Sequence, residues 1–390
     1  MATSTLEADS GALLEIPLET LRAERTSIKW RLFEPDVLPL WVAEMDARPC
    51  PPVVHAVASA VGRGDTGYAG SGAYAAALAE LAEAEWDWAL DPGAVVQVAD
   101  VLTGIGHLLR LLTDPGGPVV LSPPVYNAFY DLVATTDRRV VEAPLTDAGR
   151  LDLQVLDTTF ATVTAGGQRA AYLLSNPHNP KGTVHSPDEL ADLARVAERH
   201  GVRVLSDEIH APLVFSTSRF TPYLTVPGSE RGITVTSASK AWNLAGLKAA
   251  LLVPGAGARG DVTRLPPFVT YGASHLGVIA HTAAYRDGRD WVRTLLVELD
   301  DRRHLLADLV ASHLPGARFV LPEATYLAWL DLRPLGLGER PGAALLERAR
   351  VAVSDGVTFG GGGAGHVRVN FATSPSILTE AVERIARSLA

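Results

Sequence analysis

Short apolar runs and longer stretches of helical period alternate through the middle of the chain. The runs at 95–98, 119–121, 139–143, 171–174, 203–206, 232–236 and 249–253 are too short for helices and rich in Val and Leu, so each reads as a strand. Between them lie stretches with apolar residues three and four apart, such as 107–112 and 187–199. The second carries a start signal: Ser186 stands at the cap position, Pro187 follows, and Glu189 lies three residues on. Strands that are apolar on both faces and alternate with helices predict an α/β fold, with a mostly parallel seven-stranded sheet covered on both sides. Ligands of such sheets bind beyond the carboxyl ends of the strands.

A long helical stretch follows, from about 276 to 312, broken near Asp287-Gly288. Shorter elements come after it: 319–321, 326–331, a helix over 342–350 and a strand over 367–371. This pattern predicts a large domain over 51–283 and a smaller α+β domain over 284–390. Residues 13–50 are too irregular to stand alone and are expected to pack with the smaller piece. Residues 1–12, polar and acidic, are expected to be disordered. No Ser/Gly linker separates the parts, so the junction should be tight.

Composition narrows the function classes. A hydrophobic share of 47% and a charged share of 20% are those of an ordinary soluble globular protein. A net charge of −10, with arginines scattered among acids, argues against nucleic acid or an anionic membrane as partner. No apolar segment is long enough to span a bilayer. The start of the chain has neither the basic nor the apolar stretch of a signal peptide. The single cysteine, Cys50, excludes an internal disulfide, and together these features predict a cytoplasmic protein. Cys50 sits in Arg48-Pro49-Cys50-Pro51-Pro52, which reads as a rigid turn rather than a nucleophile's setting. Histidines and acids lack the spacing of a dedicated site, so no metal is expected.

The chemistry concentrates in Ser237-Ala238-Ser239-Lys240-Ala241-Trp242-Asn243-Leu244-Ala245-Gly246-Leu247-Lys248. Only four lysines, Lys29, Lys181, Lys240 and Lys248, stand against thirty arginines, and two of the four are in this run. A lysine beside small hydroxyls and a second cation suits an anionic aldehyde cofactor: the amine bonds to the aldehyde, and Ser237, Ser239 and Lys248 hold a phosphate. Asp207 ends a strand and can keep a pyridine nitrogen protonated, although Asp after a strand is also a common helix cap. Asn176-Pro177-His178-Asn179-Pro180-Lys181-Gly182 fixes an amide, Asn179, that can reach a phenolate oxygen.

Weaker signals lie elsewhere. Thr103-Gly104-Ile105-Gly106-His107 reads as a helix opening where backbone amides could meet a phosphate. Tyr126, after a strand, could stack on a ring. Tyr68, in a glycine-rich loop, could offer its hydroxyl to a phosphate, and His210 could contact a ring edge. Arg368 interrupts an apolar strand and offers a planar fork for an α-carboxylate, an edge-strand surface arginine being the alternative. Gly360 to Gly363 reads as a flexible loop near the site.

Together these segments resemble the fold-type I pyridoxal-phosphate enzymes, from about Trp30 to the C-terminus. Within that superfamily, Leu40-Trp41-Val42-Ala43-Glu44-Met45-Asp46, Asp207-Glu208-Ile209-His210 and the Lys240 run are similar to the MalY/PatB-type cystathionine β-lyases, or cysteine-S-conjugate β-lyases. The resemblance implies pyridoxal 5′-phosphate on Lys240, with Asp207 at the pyridine nitrogen, Asn179 at the ring oxygen and Tyr126 stacked on the ring. It implies Ser237, Lys248 and the turn Gly104, Ile105 and Gly106 at the phosphate, and Arg368 at the carboxylate of an amino-acid substrate. It also implies a homodimer whose neighbouring subunit contributes Tyr68. Departures are Lys181 where Thr is frequent, Glu44 where the lyases more often carry Asp, and Lys248 where many aminotransferases have Arg. His210 in place of the usual aminotransferase Tyr favours the lyase reading. Aminotransfer and oxidative deamination of a cysteine conjugate are the rival activities. A non-catalytic scaffold is the rival from another class, and the joint presence of Lys240, Asp207, Asn179 and Arg368 speaks against it.

Overall fold

The computed structural model describes residues 11–70 and 72–389, so the expected disordered stretch lies outside the described residues except for Gly11 and Ala12. The strands in chain order are β1 (Leu38–Pro39), β2 (Val96–Val98), β3 (Pro118–Leu121), β4 (Arg139–Glu142), β5 (Ala171–Ser175), β6 (Arg203–Asp207), β7 (Ile233–Thr236) and β8 (Ala250–Pro254). After two long helices come β9 (Arg318–Phe319), β10 (Leu327–Asp331), β11 (Val351–Ala352), β12 (Ser354–Asp355) and β13 (His366–Asn370).

β2 to β8 form the expected seven-stranded sheet, in the order β2-β8-β7-β6-β5-β3-β4. Neighbours from β7 to β4 are parallel, and β8 runs antiparallel to both of its neighbours. Leu173, Leu205, Ile233 and Val235 on the central strands are at most 1% exposed. Each contributes about 1.5–3 kcal/mol by leaving water. β4 is the edge and ends its two half-buried valines with Arg139 and Glu142, charges that discourage pairing with another chain. The helix Pro187–His200 has the capping box read from Ser186 and Glu189, and Gly201 at φ 67° stops it. Register sets Asp207 beside Ser175 on one side and Val235 on the other. The loops leaving β5, β6 and β7 therefore emerge in a row along one edge.

The long helical stretch divides into His275–Asp287 and Arg289–His313 at Gly288. A Cβ at Gly288 would stand 2.6 Å from Trp242 Nε1, whose N–H donates to the Gly288 carbonyl at 2.9 Å. Close packing imposes this glycine.

The N-terminal segment runs along the C-terminal elements: β1 pairs in parallel with β11, and Glu298 accepts the amides of Leu13 and Leu14 at 2.6 and 2.8 Å. β13 is flanked by β10 and β12, so Arg368 stands on an inner strand, 5% exposed, and the edge-strand reading fails. The strand expected over 319–321 stops at Phe319, and Val320 is 82% exposed. Cys50 is no turn residue. It occupies the N-cap of the helix Pro51–Gly62, buried, with its thiol pushed up to about 11 by burial, which leaves it inert as a nucleophile. No helix among the described residues is long and apolar enough to cross a membrane, and no cluster of potential metal ligands occurs among them.

Candidate active site

The loop after β7 folds back on itself because the Ser237 hydroxyl donates to the Ala249 carbonyl at 2.7 Å and accepts the Ser239 amide at 3.2 Å. This turn directs Lys240 inward. Its Nζ donates to the Ala43 carbonyl at 2.9 Å. Burial, with the nearby Arg368 and Lys248 cations, pushes the amine down to about 8, against the pull of Asp207 and Glu44. An amine held near that value is partly neutral in ordinary buffers and can act as nucleophile or base.

Asp207 ends β6 at 6% exposure and accepts the Ile209 amide at 3.2 Å. Burial pushes its carboxyl up to about 7, with that amide and Lys240 opposing. His210, 3% exposed, is pushed down to about 3 by burial and by Lys240 and Arg368, so the ring is neutral. Its Nδ1 has no partner, and its edge lies against Tyr326, centroids 6.0 Å apart. Glu208 points the other way. It accepts from the Ser206 hydroxyl, the Tyr223 amide and the Asn176 side chain, and so ties the loops beneath the site.

Arg368 reaches this edge from β13. Its Nη1 donates to Asn179 Oδ1 at 3.2 Å, and its Nη2 donates to the Trp41 carbonyl at 3.1 Å. The guanidinium lies over Phe359 at 4.9 Å, and its Nε is buried without a partner. A cation so fixed, with Nε and part of the fork unspent, suits a carboxylate. The run Gly360 to Gly363 is pinned at both ends, while Gly362 faces open space: Gly360 at φ 87° lies hard against Tyr130, and Gly363 packs on Gly356. Only hydrogen fits at Gly360 and Gly363.

A cavity of about 120 Å³ adjoins Lys240, lined by Asp100, Val101, Leu102, Tyr126, Ile209, Ser237, Ser239 and Lys248, among others. Here the glycine reading is corrected. The helix is Val101–Leu112 with Asp100 as its cap, accepting the Thr103 amide at 2.8 Å. Gly104, Ile105 and Gly106 therefore lie within the helix, buried, and outside this cavity. A Cβ at Gly104 would meet Leu252 Cδ2 at 2.9 Å and Val98 Cγ2 at 3.0 Å, so that glycine lets the helix sit close to the sheet. The first-turn amides of Val101 and Leu102, which lack intrahelical acceptors, are the donors facing the cavity. Lys248 Nζ lies 3.3 Å from Asp100 Oδ2. Tyr68 is not part of the site within this chain; it is 91% exposed.

Sequence reasoning also missed Ala43 and Tyr326. The Tyr326 hydroxyl donates to the same Ala43 carbonyl at 3.0 Å. A backbone acceptor leaves no trace in residue identity, and Tyr326 reads as one more apolar strand position. For Val101 and Leu102 a signal existed: Asp100 directly ahead of an apolar periodic stretch marks the helix start.

A buried amine, a strand-end carboxylate and an inward arginine, gathered beyond the carboxyl ends of a sheet in this order, characterise an aminotransferase-like enzyme of fold type I. The chain belongs to the aminotransferase class I and II family, which its residues 35–385 match. It is 51% identical to a Mycobacterium tuberculosis protein named "Putative cystathionine beta-lyase", over 97% of this chain and 98% of that one. It is 35% identical to the cystathionine beta-lyase of Corynebacterium glutamicum, over 95% and 99% of the two chains. Among solved structures, the PLP-bound C-S lyase from Staphylococcus hominis superimposes with a TM-score of 0.88 at 25% identity, over 94% of this chain and 97% of that one.

Proposed function

We propose that this protein is a pyridoxal-phosphate-dependent carbon–sulfur β-lyase that converts cystathionine or another cysteine S-conjugate, with water, into a thiol, pyruvate and ammonia. The observation that carries this reading is the convergence of Lys240, Asp207 and Arg368 on one edge of the sheet, in a chain half identical to a relative named for that reaction.

The residues present fit the cofactor. The cavity beside Lys240 offers two helix-start amides, the Ser239 hydroxyl and an ammonium, a donor set suited to phosphate, joined by the Ser237 hydroxyl once it turns from the Ala249 carbonyl. Val101, Leu102, Ser237, Ser239 and Lys248 would hold that phosphate, Tyr126 the ring face, Asn179 the ring oxygen and Asp207 the ring nitrogen. Bound there, pyridoxal phosphate would supply an electron sink for negative charge at the substrate Cα.

The protein's own groups do the rest. Arg368, with its Nε unspent, binds the α-carboxylate and orients the Cα–H bond. The neutral ε-amine of Lys240 takes the α-proton at Nζ. His210, kept neutral by burial, adds no charge beside the reacting atoms. The thiolate leaves from Cβ. The protein works as a homodimer, in which the exposed Tyr68 reaches the partner's phosphate, and a cytoplasmic setting fits a lone buried thiol.

The test is incubation with cystathionine in the absence of any keto acid, scored for free thiol and pyruvate. The proposal expects both from the wild-type protein and neither from Lys240→Ala. Amino transfer to an added keto acid, without thiol release, would overturn it.

A further inference from the structure

Tyr326 and the Ala43 carbonyl have no part in the chemistry above, yet that carbonyl holds the atom on which it turns and Tyr326 shares the carbonyl. Residues 42–46 are clamped from several sides. Asn370 Nδ2 donates to the Val42 carbonyl at 2.8 Å and to the Glu44 carbonyl at 2.6 Å. Lys29 Nζ also donates to the Glu44 carbonyl, at 3.0 Å, and Asn243 Nδ2 donates to the Met45 carbonyl at 2.9 Å. The Glu44 amide also donates to the Val42 carbonyl at 2.9 Å, closing a tight turn centred on Ala43. With Val42 and Glu44 both turned to Asn370, the Ala43 carbonyl is left to other donors. It accepts Lys240 Nζ at 2.9 Å and the Tyr326 hydroxyl at 3.0 Å, one donor for each lone pair.

We propose that Tyr326 and the Ala43 carbonyl are the resting place of the free Lys240 amine, with Tyr326 acting as a positioning residue for proton transfer. The inference rests on the lyase reading, because it assigns a task to the amine once it is released from the cofactor. A neutral amine that gives one N–H to Ala43 has its lone pair confined to the remaining tetrahedral directions. This limits the orientations from which it can take the α-proton. Tyr326, wholly buried, stays a neutral donor because burial raises its hydroxyl's pKa. By occupying the second lone pair it weakens the same oxygen as an acceptor for an ammonium, and so disfavours the protonated lysine. The charged and titratable groups around the pair are Arg368, Asp207, Lys248, Glu44 and His210 about Lys240, and Arg368, Glu44, Tyr126 and His210 about Tyr326. Tyr326→Phe changes none of them.

The experiment compares wild type and Tyr326→Phe as holoenzymes, and then as cofactor-free proteins recombined with pyridoxal phosphate across pH. The variant is expected to keep KM for cystathionine within about twofold and to lose about tenfold in kcat, the scale of one misplaced proton transfer. The rising limb of its recombination rate should move about 0.5–1 pH unit upward, the equivalent of one competing hydrogen bond removed. An unchanged kcat or an unmoved limb overturns the proposal. If wild type neither recombines nor releases thiol, the lyase reading itself has failed, which is a separate outcome. Should Tyr326→Phe not fold, lysine-labelled wild-type protein supplies the second measurement. With only four lysines, the Lys240 resonance is identified by its loss in Lys240→Arg. A cofactor-free Lys240 that titrates like a solvent-exposed lysine overturns the proposal.

Discussion

Asn243 grips Met45 by both ends of its amide: its Oδ1 accepts the Met45 N–H at 2.9 Å, and its Nδ2 donates to the Met45 carbonyl at 2.9 Å. Asn243 does this at φ 57°, a left-handed conformation that asparagine tolerates better than most residues. The pair joins the loop carrying Lys240 to the segment carrying Ala43. Replacing Asn243 with Ala removes two hydrogen bonds and adds backbone strain, an expected loss of about 2–4 kcal/mol. Asn243→Gly, free of the strain, should recover about 1 kcal/mol of that loss in urea unfolding. Equal stabilities for the two variants would contradict the account.

Arg368 influences both binding and the acidity of Lys240. Arg368→Gln should raise KM for the amino-acid substrate about 10–100-fold, the worth of a charge-assisted contact. It also removes a cation that, with burial, holds Lys240 down at about 8. The rate at which the cofactor-free variant recombines with pyridoxal phosphate should therefore rise at higher pH than in wild type. A shift to lower pH would show that the two groups do not repel.

Gly104→Ala separates packing from the cofactor cradle. The added methyl meets Leu252 and Val98 at about 3 Å, so stability should fall by about 1–3 kcal/mol. Cofactor affinity, measured by titration of the cofactor-free variant under native conditions, should stay within a few-fold of wild type. A large loss of affinity without loss of stability would restore Gly104 to the phosphate site.

Acid should destabilise the protein well above pH 4. His178, His210 and His281 are held at about 3, and His185 at about 4, chiefly by burial. Each takes up its proton only on unfolding, so each favours the fold more as pH rises toward the ordinary value near 6.5. Asp207 and Glu208, raised to about 7, act oppositely: they favour the fold at low pH and lose that effect as pH rises toward 7. In the cofactor-free protein four groups outweigh two, so these six together should take up about two protons on unfolding at pH 5, and the lowered His107 and His366 act in the same direction. Urea unfolding between pH 4.5 and 6 checks this, and a stability that falls as pH rises would refute it.

The main sheet is legible in the sequence because its inner strands are apolar runs bounded by turn residues, and covering on both faces leaves that pattern intact. The same holds for Lys240, Asp207 and Asn179, which follow strand ends and are brought to one edge by register. What is not legible has a common cause. β1 and β11 are two-residue pairings that long-range contact creates, without local propensity. The Val101 and Leu102 amides and the Ala43 carbonyl are backbone groups, which any side chain could carry. Gly104 and Gly106 mislead because glycine serves close packing as often as ligand approach. Arg368 gave two readings from its strand alone, and only its neighbours β10 and β12 decide between them.

The lone sulfur of Cys50 has a practical consequence. It sits 1% exposed beneath Trp242, two residues beyond Lys240, and against the joint at Gly288 where the two long helices meet. It also lines a cavity of about 390 Å³ with Val53, Val57 and Leu247, so a thiol-modifying reagent reaches the buried sulfur when the packing around it loosens. Its labelling rate, free of interference from any second cysteine, is thus a built-in clock for how often the packing beside the Lys240 loop opens.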